Sequence, residues 1–270
     1  MNTLDYAQVL KQVIREVVAA GELLVAEWER PSGPRGSGDK ADVDVEIESL
    51  LRTGLIEILN CDFWGEETGS QLNGAEHCWV VDPNDGTADF LSGVKGSSVS
   101  VGLLFKSKPV LGVVYAPVTE DRGSDCIAWA LGTDYIYRNG LMLKRSLCDI
   151  ELQRSTSVLV SNGARKKQGL NAQLCAPATP VPTTSIAYRL AAVAAGDAVA
   201  AISLVPTSAH DVVAGHAILL GAGGVLVDET GEAIGYDSTE KLKTTSKRCF
   251  GGAPAACRDL VTRDWDIVFR

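Results

Sequence analysis

The most informative stretch of the chain spans residues 79–90 and reads Trp-Val-Val-Asp-Pro-Asn-Asp-Gly-Thr-Ala-Asp-Phe. An apolar run typical of a buried strand ends on two acids, Asp82 and Asp85. The proline between them fixes its own φ and Gly86 tolerates unusual backbone angles, so the turn can be sharp and rigid. Its carboxylates can converge on a hard cation, while the Gly86-Thr87 step offers N–H groups and a hydroxyl to an anion. A solvated turn without a site is the alternative.

The composition is that of an ordinary globular protein. The 270 residues are 46% hydrophobic and 22% charged, enough to bury a large core in one domain or two. The formal net charge is −9 and no basic tract is present. Nucleic-acid polymers and membranes are therefore not expected as partners. An acidic chain can still bind a small phosphorylated metabolite when metal ions bridge the two.

The cysteines and the start of the sequence indicate a cytoplasmic location. The 7 cysteines are scattered, odd in number and never spaced as C-x-x-C. This distribution favours reduced thiols over disulfides or a zinc site. The first six residues show no basic segment followed by an apolar one, so no signal peptide is expected. No apolar stretch approaches the roughly 20 residues that a membrane-spanning helix needs.

Hydrophobic periodicity divides the chain into parts 1–150 and 151–270, with a soft boundary near 145–155. The first part predicts helices over 4–29 and 44–59, then mostly antiparallel strands. The second part alternates strands and helices. The predicted strands of the first part are 78–82, 97–105, 109–115, 126–131 and 134–138. The predicted elements of the second part are strand 157–161, helix 164–175, helix 185–195, strand 198–204, helix 211–221 and strand 224–228.

Three further segments place acids at the ends of predicted elements. Glu66 and Glu67 follow a glycine just before the strand that ends at Asp82, Asp211 opens a helix, and Asp44 begins another. Each has a simpler interpretation by itself. Glu66 can be a solvated turn acid, Asp211 a first-turn acid favourable to the helix dipole, and Asp44 a helix cap.

Two other polar features are interpreted as structural. Lys40 lies in a glycine-containing loop, residues 36–40, and is most simply a surface charge. His210 and His216 are interpreted as local polar partners without a chemical role.

Taken together, the acidic motifs resemble the inositol monophosphatase superfamily, which includes 3′(2′),5′-bisphosphate nucleotidases and is related to fructose-1,6-bisphosphatases. The motifs that carry the resemblance are Gly65-Glu66-Glu67, Asp82-Pro83-Asn84-Asp85-Gly86-Thr87 and Asp211-Val-Val-Ala-Gly, with Gly223-Gly224 downstream. Their order and spacing match over nearly the whole chain. The resemblance implies a fold of α+β or α/β class, an alternating αβαβα layered sandwich.

The resemblance also implies a site that holds two to three Mg²⁺ ions beside a phosphate ester. The implied metal ligands are Glu66, Asp82, Asp85, Asp211 and the backbone carbonyl of Asn84. Thr87 with Asp44 would orient and help to deprotonate a water, Glu66 would share in catalysis, and Gly86 and Thr87 would bind the phosphate. Physical chemistry agrees, because clustered acids without a metal would suffer costly like-charge repulsion.

Some positions depart from the pattern of the resembled superfamily. Asp89 stands where Asn is more usual, and His210 replaces the Trp that usually precedes the last acid. The second change puts the packing around Asp211 in doubt. The 36–40 loop resembles a mobile catalytic loop in which Asp39 and Lys40 approach a third metal ion.

The residues around the implied site favour a nucleotide substrate. Leu204 lies seven residues before Asp211, where inositol-cleaving members carry a Glu that binds the polyol. A leucine there would leave hydroxyls unpaired and suits a nucleobase better. Thr184 and Ser185, at a helix start, are predicted to donate hydrogen bonds to the leaving group, with an ordinary helix cap as the alternative.

We therefore expect a metal-dependent phosphoric monoester hydrolase acting on 3′-phosphoadenosine 5′-phosphate or a related nucleotide. An inositol- or sugar-phosphate phosphatase is the alternative. A catalytically silent sensor that binds metal and a phosphorylated metabolite is the alternative of another class. The resemblance permits a homodimer without requiring it.

Overall fold

The computed structural model describes residues 4–270. Residues 1–3, part of the segment in which no signal peptide is expected, lie outside the described residues. Within the described range, none of the helices combines the length and the apolar character that crossing a membrane requires. All seven cysteines are free thiols.

The first sheet has eight strands and is built from residues before 145. A short hairpin, β1 (Gly36–Ser37) and β2 (Lys40–Ala41), precedes it. The strands of the sheet are β3 (Asp62–Gly65), β4 (Ser70–Gln71), β5 (His77–Asp85), β6 (Ser98–Phe105), β7 (Lys108–Ala116), β8 (Asp125–Ala130), β9 (Ile136–Arg138) and β10 (Leu141–Leu143). Their spatial order is β10-β9-β8-β7-β6-β5-β3-β4. Neighbours pair antiparallel except β3 and β5, which run parallel.

The second sheet has five strands in the order β12-β11-β13-β15-β14. The strands are β11 (Ser157–Val160), β12 (Thr179–Pro182), β13 (Ala200–Ser203), β14 (Val225–Asp228) and β15 (Cys249–Gly252). β12, β11 and β13 are parallel to one another, whereas β15 runs antiparallel to both of its neighbours.

Helices cover both sheets and separate them. The α-helices are α1 (Tyr6–Trp28), α2 (Asp44–Ile58), α3 (Thr87–Leu91), α4 (Gln168–Cys175), α5 (Ile186–Ala195), α6 (Ala209–Gly221), α7 (Thr239–Lys243) and α8 (Pro254–Val261), with short 3₁₀ helices at Asn162–Lys167 and Trp265–Val268. α1 and α2 pack on the outer face of the first sheet, α5 and α6 lie between the sheets, and α4 and α8 pack against the second sheet. The predicted αβαβα sandwich is confirmed.

The central helix α6 approaches the first sheet closely because two paired glycines leave room for it. Gly102 on β6 lies opposite Gly112 on β7. A Cβ at Gly102 would come within 2.5 Å of Val213 Cγ1, and one at Gly112 within 2.2 Å of Ala214 O. A side chain at either position would force α6, with Asp211 in its first turn, away from the sheet.

The two parts of the sequence share hydrophobic core rather than folding around separate ones. Val80, Leu104 and Val114 of the first sheet pack in one buried cluster with α5, α6 and the second sheet. A second cluster lies between α1, α2 and the outer face of the first sheet. The division at 145–155 therefore separates the two sheets, and the middle helices join them.

The structure corrects several predicted boundaries and adds elements. Predicted helix 164–175 is a 3₁₀ helix followed by α4, helix 211–221 begins earlier at Ala209, and strand 78–82 continues to Asp85. Strands 134–138 and 198–204 shorten to β9 and β13. The predicted elements did not include the short strands β1, β2, β4 and β10, the strands β3, β12 and β15, or helices α3, α7 and α8. β12 contains Pro180 and Pro182, which an edge strand tolerates but which read as a loop in the sequence.

Candidate active site

Parallel pairing of β3 with β5 places two of the acids side by side. Gly65 pairs with Val81, so Glu66 and Asp82 are the next residues on neighbouring strands. The register between β5 and β6 then shifts between Asp82 and Asp85, which interrupts the regular alternation of side chains. This irregularity allows Asp85 to join Asp82 on the same side.

Helix α6 brings the last acid from the other half of the chain. Asp211 is the third residue of the helix, and its carboxylate accepts a hydrogen bond from the Ser208 backbone N–H in a capping box. Oxygens of Asp82, Asp85 and Asp211 all lie within 4.8 Å of one another. Atoms of Glu66, Asp82 and His210 form a second such group. The four predicted acidic ligands therefore converge.

Burial and mutual repulsion raise the pKa of every acid in this cluster. Burial raises the pKa of Asp85 and of Asp211 to about 6, and that of Glu66, which also faces its acidic neighbours, to about 8. Desolvation, with Glu66 and Asp85 nearby, holds the pKa of the Asp82 carboxyl well above its usual range. Such a cluster of carboxylate oxygens fits a hard divalent cation, which would return the carboxylates to their charged form.

The turn after β5 joins Asp44 to Asn84 and Thr87. The Asp44 carboxylate accepts hydrogen bonds from the Ala41 backbone N–H at 2.9 Å and from Asn84 Nδ2 at 3.0 Å. The Thr87 hydroxyl donates to the Asn84 carbonyl at 2.7 Å. Burial raises the pKa of Asp44 to about 6. Asp44 is the first residue of α2 rather than its cap, because Val43 occupies the cap position.

A buried glutamate that the sequence analysis left without a role fixes the loop that carries Glu66. Glu48, on α2, accepts hydrogen bonds from the backbone N–H groups of Glu67 at 2.9 Å and Thr68 at 2.6 Å, and from the Thr68 hydroxyl at 2.6 Å. The sequence signal that could have indicated this role is the position of Glu48, one helical turn after Asp44. A helical spacing of four residues puts both side chains on the same face, toward the site.

Thr184 and Ser185, which were predicted to contact the substrate, donate hydrogen bonds to two acids, one at the end of β5 and one just after the turn that follows it. The Ser185 hydroxyl donates to Asp85 Oδ2 at 2.6 Å, and the Thr184 hydroxyl donates to Asp89 Oδ2 at 2.8 Å. Ser185 also caps α5, because its Oγ accepts the Tyr188 N–H at 2.9 Å. The helix-cap alternative is therefore observed, and a direct contact of these hydroxyls with a substrate stays a prediction.

Gly86 lies where only a glycine fits. Its φ is +97°, and a Cβ there would come within 2.6 Å of the Thr184 methyl group and 3.3 Å of Ser185 N. The close approach brings the turn after β5 next to the start of α5. Backbone N–H groups at this junction are the ones predicted to face the phosphate.

Three other predicted positions, Leu204, Asp39 and Lys40, differ in their burial and in their place in the fold. Leu204 is half-buried and packs against the hydrophobic core beside the second sheet. Asp39 and Lys40 are exposed at the β1–β2 hairpin. The base of this hairpin is tied to α1, since Arg35 donates to buried Glu27 through Nε at 3.0 Å and Nη2 at 2.9 Å.

His210 differs most from expectation. Its Nε2 lies 3.9 Å from both Glu66 Oε1 and Asp211 Oδ1, so it faces the acids. His216, by contrast, is a structural partner: its Nδ1 lies 2.9 Å from the Tyr236 hydroxyl within the core. Burial lowers the pKa of His216 to about 4.

The family assignment follows from comparison of the whole sequence. The sequence pattern of the inositol monophosphatase family matches residues 5–263. The chain belongs to this family. Its members are phosphatases, hydrolases that act on phosphate monoesters, and the family is metal-dependent.

Relatives of this family member carry the names of different phosphatases. Over 236 residues the chain is 30% identical to inositol-1-monophosphatase ImpA of Mycolicibacterium smegmatis, covering 83% of each protein. Over 174 residues it is 30% identical to 3′(2′),5′-bisphosphate nucleotidase CysQ of Salmonella typhimurium, covering 61% of this chain and 64% of that protein. A match of 31% over 110 residues to a fructose-1,6-bisphosphatase/inositol-1-monophosphatase of Aquifex aeolicus covers 41% of this chain and only 39% of that protein.

Solved structures show the same fold. The inositol monophosphatase of Thermotoga maritima superposes with a TM-score of 0.75 at 18% identity, covering 94% of this chain and 95% of that one. CysQ of Bacteroides thetaiotaomicron gives a TM-score of 0.69 at 21% identity, covering 92% and 97%. At these identities the similarity concerns the fold alone.

Proposed function

We propose that this family member is a Mg²⁺-dependent phosphomonoesterase that hydrolyses a phosphorylated nucleotide, with 3′-phosphoadenosine 5′-phosphate as the favoured substrate. One observation carries the phosphatase assignment: the oxygens of Asp82, Asp85 and Asp211 meet within 4.8 Å, beside the Gly86-Thr87 turn. This arrangement combines a cation site with backbone donors suited to phosphate.

Each residue of the site has a proposed part. Glu66, Asp82, Asp85, Asp211 and the Asn84 carbonyl would hold two to three Mg²⁺ ions. When bound, these ions supply charge neutralisation for the ester and lower the pKa of water. The backbone N–H groups of Gly86 and Thr87 would orient the phosphate.

Asp44 and Thr87 form the proposed proton-accepting pair. A carboxylate with a pKa of about 6 is ionised at neutral pH yet basic enough to take a proton. Two hydrogen-bond donors, Ala41 N and Asn84 Nδ2, keep its orientation fixed. The Thr87 hydroxyl, which donates to the Asn84 carbonyl in this structure, would turn to Asp44, give its own proton to that carboxylate and take one from water.

A neighbouring cavity supports the nucleotide assignment. It measures about 420 Å³ and borders the site at Thr184. Its lining includes the basic side chains Lys95, Arg122 and Arg165, the acids Glu120, Asp121 and Asp197, and the apolar wall Val181-Pro182. Arg122 donates to Asp197 Oδ1 at 3.3 Å, which leaves Lys95 and Arg165 as the lining cations that pair with no acid in this way among the described residues. Lys95 and Arg165 would suit the second phosphate of a bisphosphate nucleotide, and the apolar wall would suit its base.

An inositol phosphate remains the second candidate because ImpA, an inositol-1-monophosphatase by name, matches over the larger share of the chain. The test is phosphate release from a panel that includes 3′-phosphoadenosine 5′-phosphate, adenosine 5′-monophosphate and inositol 1-phosphate, with and without Mg²⁺. We expect kcat/KM to be at least about tenfold higher for the bisphosphate nucleotide, equivalent to about 1.4 kcal/mol. A preference for inositol 1-phosphate would overturn the substrate assignment.

Variants of the cavity sharpen this test. Arg165→Gln should raise KM for the bisphosphate nucleotide and leave KM for the monophosphate unchanged, since only the former carries a second phosphate. Lys166→Gln, an exposed neighbour outside the cavity lining, is the matched control. Equal effects of Arg165→Gln on both nucleotides would count against the cavity as the second-phosphate site.

The sensor alternative predicts binding without turnover. Phosphate release by the wild type that disappears in Asp82→Asn would exclude it. A homodimer and a cytoplasmic location stay predictions.

A further inference from the structure

His210 is oriented toward the acidic cluster by its place on α6. It is the second residue of the helix, directly before Asp211. Its Nε2 lies 3.9 Å from Glu66 Oε1 and 3.9 Å from Asp211 Oδ1, and 16% of its side chain is exposed. Together with Asp82, Glu66 and His210 form a group whose ligand atoms lie within 4.8 Å of one another.

The distances suit joint coordination better than hydrogen bonding. A separation of 3.9 Å is too long for a hydrogen bond between the imidazole and either carboxylate. Two atoms that each lie about 2.1 Å from one ion are separated by about 3 Å when at right angles and by about 4.2 Å when opposite. The observed separation falls inside this interval.

The protein offers the ring no other partner to explain its burial. His210 Nδ1 is buried without a hydrogen-bond partner among the described residues. A buried polar atom left unpaired costs free energy, so an imidazole enclosed for packing alone would be unfavourable here. The other ring nitrogen, Nε2, is the one that faces the acids. Burial of a ring with one unpaired nitrogen is less unfavourable if Nε2 binds a cation, because that bond stabilises the enclosed ring through its other nitrogen.

We propose that His210 is a nitrogen ligand of the ion held by Glu66 and Asp82, so that the ring strengthens binding of Mn²⁺ and Co²⁺ at this position more than binding of Mg²⁺. The inference rests on the proposed metal site. Mg²⁺ is held almost entirely by oxygen ligands, whereas imidazole suits the transition metals. One nitrogen donor in an otherwise oxygen site therefore raises affinity for Mn²⁺ and Co²⁺ more than for Mg²⁺.

The direct test is spectroscopic. The metal-stripped protein, labelled with ¹⁵N only at histidine, is loaded with Mn²⁺, and nitrogen hyperfine coupling is measured by pulsed electron paramagnetic resonance. We expect a ¹⁵N coupling in the wild type and in His77→Asn. His77 is the matched control because it lies away from the site, with Nε2 2.9 Å from the Tyr6 hydroxyl. The coupling should vanish in His210→Phe and in His210→Asn.

Affinity provides the second readout. Calorimetric titration should show that His210→Phe weakens binding of Mn²⁺ and Co²⁺ about 10- to 100-fold and changes Mg²⁺ affinity by less than about threefold. Absence of nitrogen coupling in the wild type overturns the proposal, even if a variant fails to fold. So does unchanged Mn²⁺ affinity in a folded His210→Phe.

Failure of the proposed function would look different. A chain that shows nitrogen coupling but releases no phosphate from any ester loses the phosphatase assignment and keeps His210 as a ligand. A chain that releases phosphate with Mg²⁺ but shows no nitrogen coupling keeps the function and loses the ligand.

Discussion

Asp82→Asn should stabilise the metal-free protein at neutral pH while abolishing its response to Mg²⁺. Asp82 is buried, and its pKa is raised well above the ordinary value by desolvation and by Glu66 and Asp85. The folded protein therefore binds a proton at this carboxyl that the unfolded chain, with a pKa of about 3.9, has already lost. The asparagine keeps the acceptor for the Asn84 N–H, which now lies 2.9 Å from Asp82 Oδ1.

The sign and size follow from proton linkage. When the folded state binds more protons than the unfolded state, the free energy of unfolding decreases as pH rises. One carboxyl that is protonated in the folded state and ionised in the unfolded state contributes a loss of at most about 1.4 kcal/mol per pH unit. Glu66 contributes less to this loss of unfolding free energy than its raised pKa implies, because 37% of its side chain is exposed and solvent screens its charge.

The assay is urea denaturation in a chelator at pH 5.5, 6.5 and 7.5, repeated with excess Mg²⁺. Without metal, the free energy of unfolding of the wild type should decrease as pH rises from 5.5 to 7.5. The decrease should be smaller in Asp82→Asn. Mg²⁺ at a hundred times its Kd should add about 2.7 kcal/mol to the wild type and little to the variant. Asp62→Asn is the control, a buried acid outside the cluster. The reasoning is refuted if metal-free Asp82→Asn is less stable than wild type at pH 7.5 or keeps the same pH slope.

Three further outcomes are expected elsewhere in the molecule. Thr87→Val should lower kcat for phosphate release by about 100- to 10,000-fold with the fold intact, whereas Thr87→Ser should retain most activity; equal kcat in wild type and Thr87→Val would remove Thr87 from the proton path. Glu48→Gln should weaken Mg²⁺ binding about 10- to 100-fold in calorimetry, because the loop of Glu66 loses its charged acceptor; unchanged affinity would contradict a positioning role. His216, whose pKa burial lowers to about 4, should reduce the free energy of unfolding by about 3 kcal/mol as pH falls from 6.5 to 4, since only the unfolded chain gains a proton there. His216→Phe should flatten that acid limb in denaturation curves, and an unaltered limb would show that other groups cause it.

The sequence by itself determined which acids could form a cluster and where the long helices lie, because the Asp-Pro-x-Asp-Gly-Thr turn and the periodic helices are encoded by contiguous residues. The family and the layered fold followed from the resemblance of these motifs to a known superfamily. The helix starting at Asp44 and the strands β6 and β7 were predicted within one or two residues of their observed bounds. Segments without a turn motif or a hydrophobic period were not predicted. β12 is an example, because its two prolines are typical of a loop although an edge strand tolerates them.

Only the tertiary structure decided which atoms meet. The parallel register of β3 and β5 sets Glu66 beside Asp82, and the paired glycines under α6 set the distance to Asp211. The same packing makes Ser185 and Thr184 hydrogen-bond donors to Asp85 and Asp89. It also directs His210 toward the acidic cluster, although the sequence predicted no chemical role for this residue. Periodicity reports which face of an element is buried, whereas contacts between side chains depend on how distant elements pack, to within an ångström.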